Sequence, residues 1–339
     1  MRHINIPIFI PQFGCPHQCI FCNQKKISSQ TSVPEPDEIR STIAAYLEAA
    51  GDLRFEAEIA YFGGSFTALP QKTMEEYLET AREFLKRESV RGLRISTRPD
   101  YIDEEILVLL KTKGVTTIEL GIQSFEDRVL QASGRQYGAE QAEEACRLIK
   151  NKNFRLGIQL MAGLPEDNYR YAMLTAERTA ALKPDMVRIY PTLVIKETPL
   201  EALFRNHKYC PLTLAEAVDV CAGMAVIIRR ENIPIIRMGL QPSEELRTEG
   251  NVAAGPFHPA FGELVEQKIF YDQARVLLRR QEKNFYKHKI WYLRVNPKDV
   301  SKMTGYKRNN ITNLNEEFDI NLKVKIWDGQ PRNMISLDN

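Results

Sequence analysis

Long apolar runs are missing from this sequence. None of its 339 residues falls in a stretch of about 18 consecutive apolar residues, so the sequence predicts no spanning helix and no membrane partner. The first residues, Met1 to Ile4, lack the apolar run and cleavage site of a secretory signal. Hydrophobic residues make up 43% of the chain and charged residues 27%, which is typical of a globular protein.

Cysteine is also scarce, with six residues in the chain. Cys15, Cys19 and Cys22 nevertheless stand together in one stretch of eight residues. The other three are dispersed in helix-like surroundings, where we expect ordinary buried or half-buried thiols. Reduced cysteines of this kind favour a cytoplasmic location.

The spacing of the clustered cysteines, C-x3-C-x2-C, is typical of a metal-binding loop. Thiolates are ligands for both iron–sulfur clusters and zinc. A zinc site requires a fourth ligand, for which His17 is available. A three-cysteine loop instead leaves one iron of a [4Fe–4S] cluster open to a ligand. A disulfide loop is the third interpretation.

Strand-like and helix-like segments alternate along the first two thirds of the chain. Such alternation predicts a parallel sheet with right-handed crossovers. Six units in about 190 residues suit a partial, three-quarter β/α barrel, in which the chemistry lies at the carboxyl ends of the strands. The predicted strands are 4–10, 58–62, 93–97, 115–120, 155–161 and 186–190, with a further strand at 234–238. The first predicted helix, 36–50, has apolar residues at helical spacing.

The cysteine loop and the motifs that follow these strands resemble the radical S-adenosylmethionine (SAM) enzymes. Phe21, the aromatic residue directly before the third cysteine, completes the loop pattern. The resemblance implies a [4Fe–4S] cluster on Cys15, Cys19 and Cys22, with SAM bound at its open iron. It also implies an electron donor such as flavodoxin or ferredoxin, and hydrogen abstraction from a substrate by a 5′-deoxyadenosyl radical.

The resemblance further implies a set of SAM contacts. The Gly-Gly-Ser turn after the second strand corresponds to the turn that holds the amino group of SAM. Gln123 and Arg135 resemble SAM-contacting residues of the oxygen-independent coproporphyrinogen oxidases, with the Arg at the SAM carboxylate. Gln159 stands where that family has an acidic residue for the ribose. The implied contacts are Gly63, Gly64, Ser65, Thr97, Gln123, Ser124, Arg135, Gln159 and Met161.

Over about residues 5–205, the sequence resembles the radical SAM core of the Elongator catalytic subunit family, which modifies the wobble uridine of tRNA. The resemblance implies that tRNA is a possible partner. That family carries an acetyltransferase domain after its barrel, and only about 75 residues follow Gly262 here. We therefore expect the core without that domain, as in short bacterial radical SAM proteins of unassigned reaction. The matching segments are 62–67, 97–102, 119–124 and 189–195.

Two other functions stay open at this point. A radical SAM enzyme for a tetrapyrrole or another small molecule predicts an apolar cavity with a basic rim. A non-catalytic iron–sulfur protein that binds RNA predicts the cysteine loop without the SAM contacts.

Two residues are candidates for catalysis. Tyr190 ends the sixth strand, and His258 lies between prolines in a Gly/Pro-rich segment, 241–267. One interpretation makes this segment a closing loop that brings His258 or Glu263 to the active-site mouth. The other makes it a rigid connection to the last long helix, with Pro and Gly at its start. The segment separates the predicted core barrel, 1–240, from a C-terminal region, 268–339.

The C-terminal region is basic, whereas the rest of the chain is slightly acidic. Residues 268–339 hold 15 Lys and Arg against 8 Asp and Glu, and residues 1–267 hold 31 against 36. The pattern predicts helix, turn, helix and strand, similar to a KH unit with a broken GxxG loop. Lys302, Lys307 and Arg308 are candidate phosphate contacts. A small α+β cap with an ordinary basic surface is the alternative.

Overall fold

The computed structural model describes residues 2–10, 15, 19–23, 32–51, 55–87, 90–240, 251–281 and 290–338. Seven parallel strands form its main sheet, in the order β1–β2–β3–β4–β5–β6–β8, and curl into a partial barrel. The predicted fold class is therefore confirmed. The strands are β1 (Arg2–Ile10), β2 (Phe55–Gly63), β3 (Val90–Thr97), β4 (Val115–Gln123), β5 (Arg155–Ala162), β6 (Met186–Pro191) and β8 (Ile235–Met238).

Helices cover the outer face of this sheet. The helices of this part of the chain are α1 (Pro36–Ala50), α2 (Gln71–Arg82), α3 (Glu104–Thr112), α4 (Asp127–Ala132), α5 (Ala139–Asn151), α6 (Tyr169–Leu182), α7 (Pro199–Arg205) and α8 (Leu214–Arg230). The short helices α4 and α7 differ from the others, since Ser133 after α4 and Leu200 of α7 contact Ile20 of the cysteine loop. None of the helices in the described ranges is both long enough and apolar enough to cross a membrane.

Helix α1 shows how the local sequence sets these elements. It begins with a capping box between Glu35 and Glu38, and it ends at Gly51, whose φ is 55°. Ile39, Ile43 and other apolar residues at helical spacing are buried against the sheet. Because both ends and the buried face are marked locally, the predicted bounds agree with the structure.

The two faces of the main sheet differ in polarity. Alternate residues of β1, such as Ile6, Ile8 and Ile10, lie in the outer core that packs on the helices. In β2 to β4 the intervening positions hold charged side chains, with Glu58, Arg94 and others buried inside the barrel. Charged groups at these depths need partners.

The C-terminal region has its own core and a mixed sheet in the order β11–β10–β12. Strand β10 runs parallel to β11 and antiparallel to β12. Helices cover one face of this sheet, so the expected α+β region is observed. The elements are α9 (Phe261–Gln281), β10 (Ile290–Val295), α10 (Val300–Thr304), α11 (Asn309–Phe318), β11 (Asn321–Ile326) and β12 (Ile335–Asp338).

Helix α9 joins the barrel to the C-terminal region. Val265 and Ile269 belong to the barrel core, whereas Phe270 and Leu278 belong to the C-terminal core. The predicted division at residue 267 thus lies inside a helix that packs on both sides. Of the predicted closing loop, residues 241–250 lie outside the described ranges. The next residues form β9 (Val252–Ala254), which pairs with β7 (Val194–Ile195).

Candidate functional site

The carboxyl ends of strands β1 to β6 place the predicted motifs at one edge of the barrel. Gly63 ends β2 beside Ile10 of β1, and its φ is 107°. A Cβ at this position would lie 2.8 Å from the carbonyl oxygen of Ile10, which also accepts a hydrogen bond from the Gly64 N–H at 2.7 Å. Only glycine fits this turn without strain.

A group of buried hydroxyls fixes the turn against β3. The Thr97 hydroxyl lies 2.9 Å from that of Ser65 and 2.6 Å from that of Thr67. The backbone N–H of Arg98 donates to the Ser65 hydroxyl at 3.3 Å. Ser65 and Thr97, both candidate SAM contacts, therefore hold the Gly-Gly turn in place.

The described part of the cysteine loop is anchored on two sides. The Ile20 N–H donates to the carbonyl oxygen of Ser133 at 3.3 Å, and the Leu200 N–H donates to that of Ile20 at 2.8 Å. A turn brings the N–H of Cys22 to the carbonyl oxygen of Cys19 at 3.1 Å. These contacts hold the loop over the ends of the strands.

All six cysteines are free, and the three of the loop affect one another. Burial, followed by the charges of Cys19 and Cys15, raises the pKa of Cys22 to about 12. Burial also raises the pKa of Cys15, although the backbone N–H of Ser65 acts in the opposite direction. A metal cation would offset this cost, because thiols lose their protons when they bind a metal.

Two buried guanidinium groups approach the sulfur of Cys19. Arg135 donates from Nη1 to this sulfur at 3.1 Å, and Arg98 lies 3.9 Å away through its own Nη1. Arg98 is held by Asp100 through two hydrogen bonds of 2.9 and 2.7 Å. Both guanidinium groups lie over the ring of Tyr137, at 5.5 and 5.2 Å from its centre. Two cationic groups therefore lie next to this sulfur.

Arg98 and Tyr137 were not among the residues proposed from the sequence. Arg98 directly follows Thr97 at the end of β3, and Asp100 stands two residues later. This pattern could have indicated an arginine held at the site by a carboxylate. The Tyr137 hydroxyl donates to the carbonyl oxygens of Gly121 and Ile122, at 2.9 and 3.1 Å. Tyr137 thus supports the end of β4, and no local pattern pointed to it.

Gln123 and Gln159 meet at the next strand ends. Gln123 has a φ of 72°, which interrupts the register between β4 and β5. The side-chain amide nitrogen of Gln159 donates to the side-chain oxygen Oε1 of Gln123 at 3.3 Å. Ser124 does not join this pair of amides. It is buried, and its hydroxyl lies 3.2 Å from that of Thr175 on α6, so it fixes the turn that follows β4 against that helix.

Ion pairs cross the interior of the barrel and lead to Tyr190. Arg188 donates to Glu119 from Nε at 2.7 Å and from Nη2 at 3.1 Å. Its Nη1 lies 3.4 Å from the Tyr190 hydroxyl. Tyr190 is aligned with Met161 on the neighbouring strand. The structure therefore brings Tyr190 to the same edge as the candidate SAM contacts.

The other catalytic candidate, His258, lies at the start of α9. Its Nδ1 accepts a hydrogen bond from the Ala260 N–H at 3.1 Å, and its carbonyl oxygen accepts one from the Phe261 N–H. These contacts are those of a helix-capping residue, which favours the rigid-connection interpretation.

The three basic candidates of the C-terminal region differ in their surroundings. Lys302 Nζ lies 3.2 Å from Glu266, 3.3 Å from Asp299 and 2.7 Å from Asn333 Oδ1. Lys307 and Arg308 are exposed, have positive φ values, and form no ion pair within the described chain. They are therefore more accessible to a phosphate than Lys302.

The donor set of the loop fits an iron–sulfur cluster in its chemistry. It combines three thiols on one anchored loop with two guanidinium groups at one sulfur. Within the described ranges, no three Cys, His, Asp or Glu side chains are arranged around one point as metal ligands. The fit therefore rests on the types of donor and their environment.

Comparison with known families decides the class of this protein. The family model of the radical SAM superfamily matches residues 9–178, and that of the radical SAM C-terminal domain matches residues 184–270. The chain belongs to the radical SAM superfamily. It is accordingly a radical SAM enzyme, and membership implies a [4Fe–4S] cluster and SAM.

Curated relatives and a solved structure agree with this assignment. A tRNA uridine(34) acetyltransferase of Methanocaldococcus infernus is 25% identical over 245 residues, which cover 61% of this chain and 46% of the relative. An uncharacterized protein of Methanocaldococcus jannaschii is 28% identical over 217 residues, covering 60% and 65%. The structure of Elp3 from Methanocaldococcus infernus, lacking residues 1–46, matches with a TM-score of 0.62 at 22% identity, covering 79% and 62%.

These matches are partial in length. The radical SAM chain described here spans about half the length of the first curated relatives it matches. The similarity to Elp3 shows a shared fold, as expected from the resemblance to the Elongator catalytic subunit family.

Proposed function

We propose that this radical SAM enzyme holds its [4Fe–4S] cluster on Cys15, Cys19 and Cys22 and binds SAM at the adjoining strand ends. The contact between Cys19 and the buried Arg135 carries this proposal, because it joins a candidate cluster ligand to a candidate SAM contact. When bound, the cluster supplies the electron that cleaves SAM to methionine and the 5′-deoxyadenosyl radical, which takes a hydrogen atom from the substrate.

The residues of the chain bind and orient the two ends of SAM. The Gly63-Gly64 turn presents backbone groups to the amino group of the methionine part. Arg135 Nε is buried and has no hydrogen-bond partner in the described part of the chain. A buried N–H without an acceptor is unfavourable, and the SAM carboxylate supplies an acceptor. Gln159 and Met161 lie on β5, where the nucleoside part would bind.

Replacing Arg135 by Met should weaken SAM binding by roughly 10-fold to 150-fold. This range corresponds to the loss of a charge-assisted hydrogen bond of about 1.5–3 kcal/mol. Isothermal titration calorimetry of the cluster-loaded protein with SAM measures the change. Arg128, exposed on α4, provides the matched control, and Arg128→Met should bind SAM normally. An unchanged affinity in Arg135→Met would remove Arg135 from the site.

We further propose that the substrate is an RNA, with tRNA as the first candidate. The excess of basic residues in 268–339 suits a polyanionic partner, and two of the matched relatives are named for tRNA uridine 34. Arg188 and Tyr190 line the barrel interior beside Met161. A nucleoside turned into the barrel would meet them there.

The loop between α10 and α11 supports this substrate class. Tyr306, Lys307 and Arg308 are exposed, and the Lys307 ammonium lies 5.3 Å from the centre of the Tyr306 ring. Lys307 and Arg308 both have a positive φ, which is an unfavourable backbone conformation for residues other than glycine. Gln267 on α9 helps to hold the loop, since its side-chain oxygen accepts a hydrogen bond from the Tyr306 N–H at 3.1 Å.

Replacing Lys307 and Arg308 together by Ala should weaken tRNA binding and reduce its salt dependence. Each lost phosphate contact lowers the slope of log K against log salt by about 0.7–0.9. Filter binding with bulk tRNA at several salt concentrations measures the slope. Lys72→Ala, on the exposed side of α2, should leave the slope unchanged. Wild-type protein that binds no tRNA at low salt would favour a small-molecule substrate.

A further inference from the structure

The C-terminal sheet has one covered and one open face. Trp291, Leu293 and Val295 of β10 point into the core formed with the helices. Side chains alternate along a strand, so the intervening positions lie on the other face. This open face consists of Tyr292, Arg294, Lys323, Lys325, Ser336 and Asp338, with Trp327 at its end.

Aromatic and basic side chains are neighbours on the open face. Tyr292, on the central strand, is aligned with Lys323 on one side and Asp338 on the other. Two residues along the strand, the Arg294 guanidinium lies 5.1 Å from the centre of the Trp327 ring. Trp327 is 45% exposed and Tyr292 is half-buried. Each ring therefore lies beside a cation at the protein surface.

The charge of the open face is positive. Arg294 and Lys325 both pair with Asp338, which leaves their combined charge only partly balanced. Lys323 is exposed and forms no ion pair within the described ranges. Asp328, in the turn after Trp327, is the other acidic neighbour. The surrounding region 268–339 carries 15 basic against 8 acidic residues, so the face lies in a positive field.

Apolar exposure is concentrated in the same region. Of the ten large hydrophobic side chains that are exposed in the described chain, five lie between residues 290 and 338. They are Ile290, Tyr306, Ile326, Trp327 and Met334. Of these, Ile290 and Trp327 share the open face by strand alternation.

We infer that the open face binds a single-stranded segment of RNA. Bases stack on Tyr292 and Trp327, and phosphates pair with Lys323, Lys325 and Arg294. Aromatic rings beside basic side chains are the features with which proteins bind single strands, since every base offers a ring face and every nucleotide a phosphate. The inference rests on the proposed function only in taking RNA as the substrate.

The test is fluorescence anisotropy with a labelled 12-nucleotide oligouridine and an RNA duplex of equal length. The cluster-loaded full chain should bind the single strand more tightly than the duplex, because paired bases hide their faces. Tyr292→Leu and Trp327→Leu should each weaken single-strand binding by roughly 5-fold to 150-fold, the range for one lost stack. Tyr292→Phe should bind like the wild type, since it keeps the ring.

A matched control separates stacking from general surface effects. Tyr46 is exposed on α1, far from the C-terminal region in sequence, and Tyr46→Leu should leave binding unchanged. Thermal melting verifies that each variant is folded. Lys323→Ala gives a second measure, because it removes an exposed side chain and leaves the packing of the sheet unchanged. It should weaken binding and reduce the salt slope.

The possible results separate this inference from the proposed function. If the wild type binds oligouridine but Tyr292→Leu, Trp327→Leu and Lys323→Ala bind equally well, the open face is not the site, although RNA remains the substrate class. If the wild type binds neither oligouridine nor the duplex at low salt, the open-face site is wrong, and the filter-binding titration with tRNA then decides separately whether RNA is the substrate. The inference would also be wrong if the wild type bound duplex and single strand with equal affinity and the variants bound the single strand as tightly as the wild type.

Discussion

A variant in which Cys15, Cys19 and Cys22 are all replaced by Ala is expected to bind no iron–sulfur cluster. The wild type should take up about four irons and four sulfides per chain under anaerobic reconstitution, because the three thiols are the cluster ligands. The loop is anchored by backbone hydrogen bonds, so the variant should keep its fold. Iron and sulfide analysis, together with the visible absorption of the cluster, measures the difference.

Cys210 provides the control for this experiment, because it is exposed and outside any helix, unlike Cys146 and Cys221, which are buried as expected. Cys210→Ala should take up as much iron as the wild type, because it lies outside the loop. Equal iron and the same absorption in the triple variant and the wild type would contradict the assignment of the loop.

Replacing Arg94 by Met should destabilise the fold by about 3–5 kcal/mol. Arg94 donates to Glu58 at 3.1 Å and to Glu119 at 2.6 Å, and all three residues are at most 5% exposed. Loss of Arg94 removes the nearest cation from the buried Glu58 carboxylate and leaves Glu119 with Arg188 alone. Urea unfolding followed by circular dichroism measures the free energy of unfolding.

Arg91, on the same strand, is the matched control. It pairs with Glu56 at 3.0 Å, but its side chain is 58% exposed. Arg91→Met should change the free energy of unfolding by at most about 1 kcal/mol. Equal effects of the two substitutions would show that burial does not determine the role of Arg94.

The effect of Arg94→Met should also depend on pH. Burial acts to raise the pKa of Glu58, but Arg94 and the Thr117 hydroxyl outweigh it and hold the pKa below its usual range. In the wild type, the ionised Glu58 carboxylate stabilises the fold at a pH above the pKa that Glu58 has in the unfolded chain. This stabilisation is lost as the pH falls through the lower pKa that Glu58 has in the folded protein. The difference in the free energy of unfolding between Arg94→Met and the wild type should therefore become smaller below about pH 4.

Much of the fold could be predicted because its signals are local. The helix at 36–50 has a proline start, a glycine end and an apolar stripe, and the structure confirms its bounds. The alternation of strands and helices then determines the parallel partial barrel. By contrast, the strands Val194–Ile195 and Val252–Ala254 are too short to produce a periodic pattern, and their pairing joins distant segments.

The packing of helix α9 on two separate cores could not be predicted from periodicity alone. Val265 faces one core and Phe270 another, so its apolar residues do not form a single stripe. A helix that packs on two sides gives a weak amphipathic signal. The predicted domain division accordingly fell inside it.

Some parts of the candidate site could be predicted from the sequence, and others could not. Gly63 and Gln123 directly end strands, so their common edge follows from the topology. The contact of Arg98 with Cys19 joins residues 79 positions apart, and that of Arg135 with Cys19 joins residues 116 positions apart. Such contacts depend on sheet curvature and loop placement, which no local pattern specifies. The assignment of these residues to cluster and SAM stays a prediction.

Cleavage of SAM by the reconstituted protein tests the central claim most directly. The cluster-loaded wild type, chemically reduced under anaerobic conditions, should convert SAM to 5′-deoxyadenosine and methionine, at least slowly, without added substrate. Liquid chromatography with mass detection measures the 5′-deoxyadenosine, which should be absent with the triple Cys→Ala variant. A fully loaded, reduced wild type that forms no 5′-deoxyadenosine, or equal amounts from both proteins, would contradict the account.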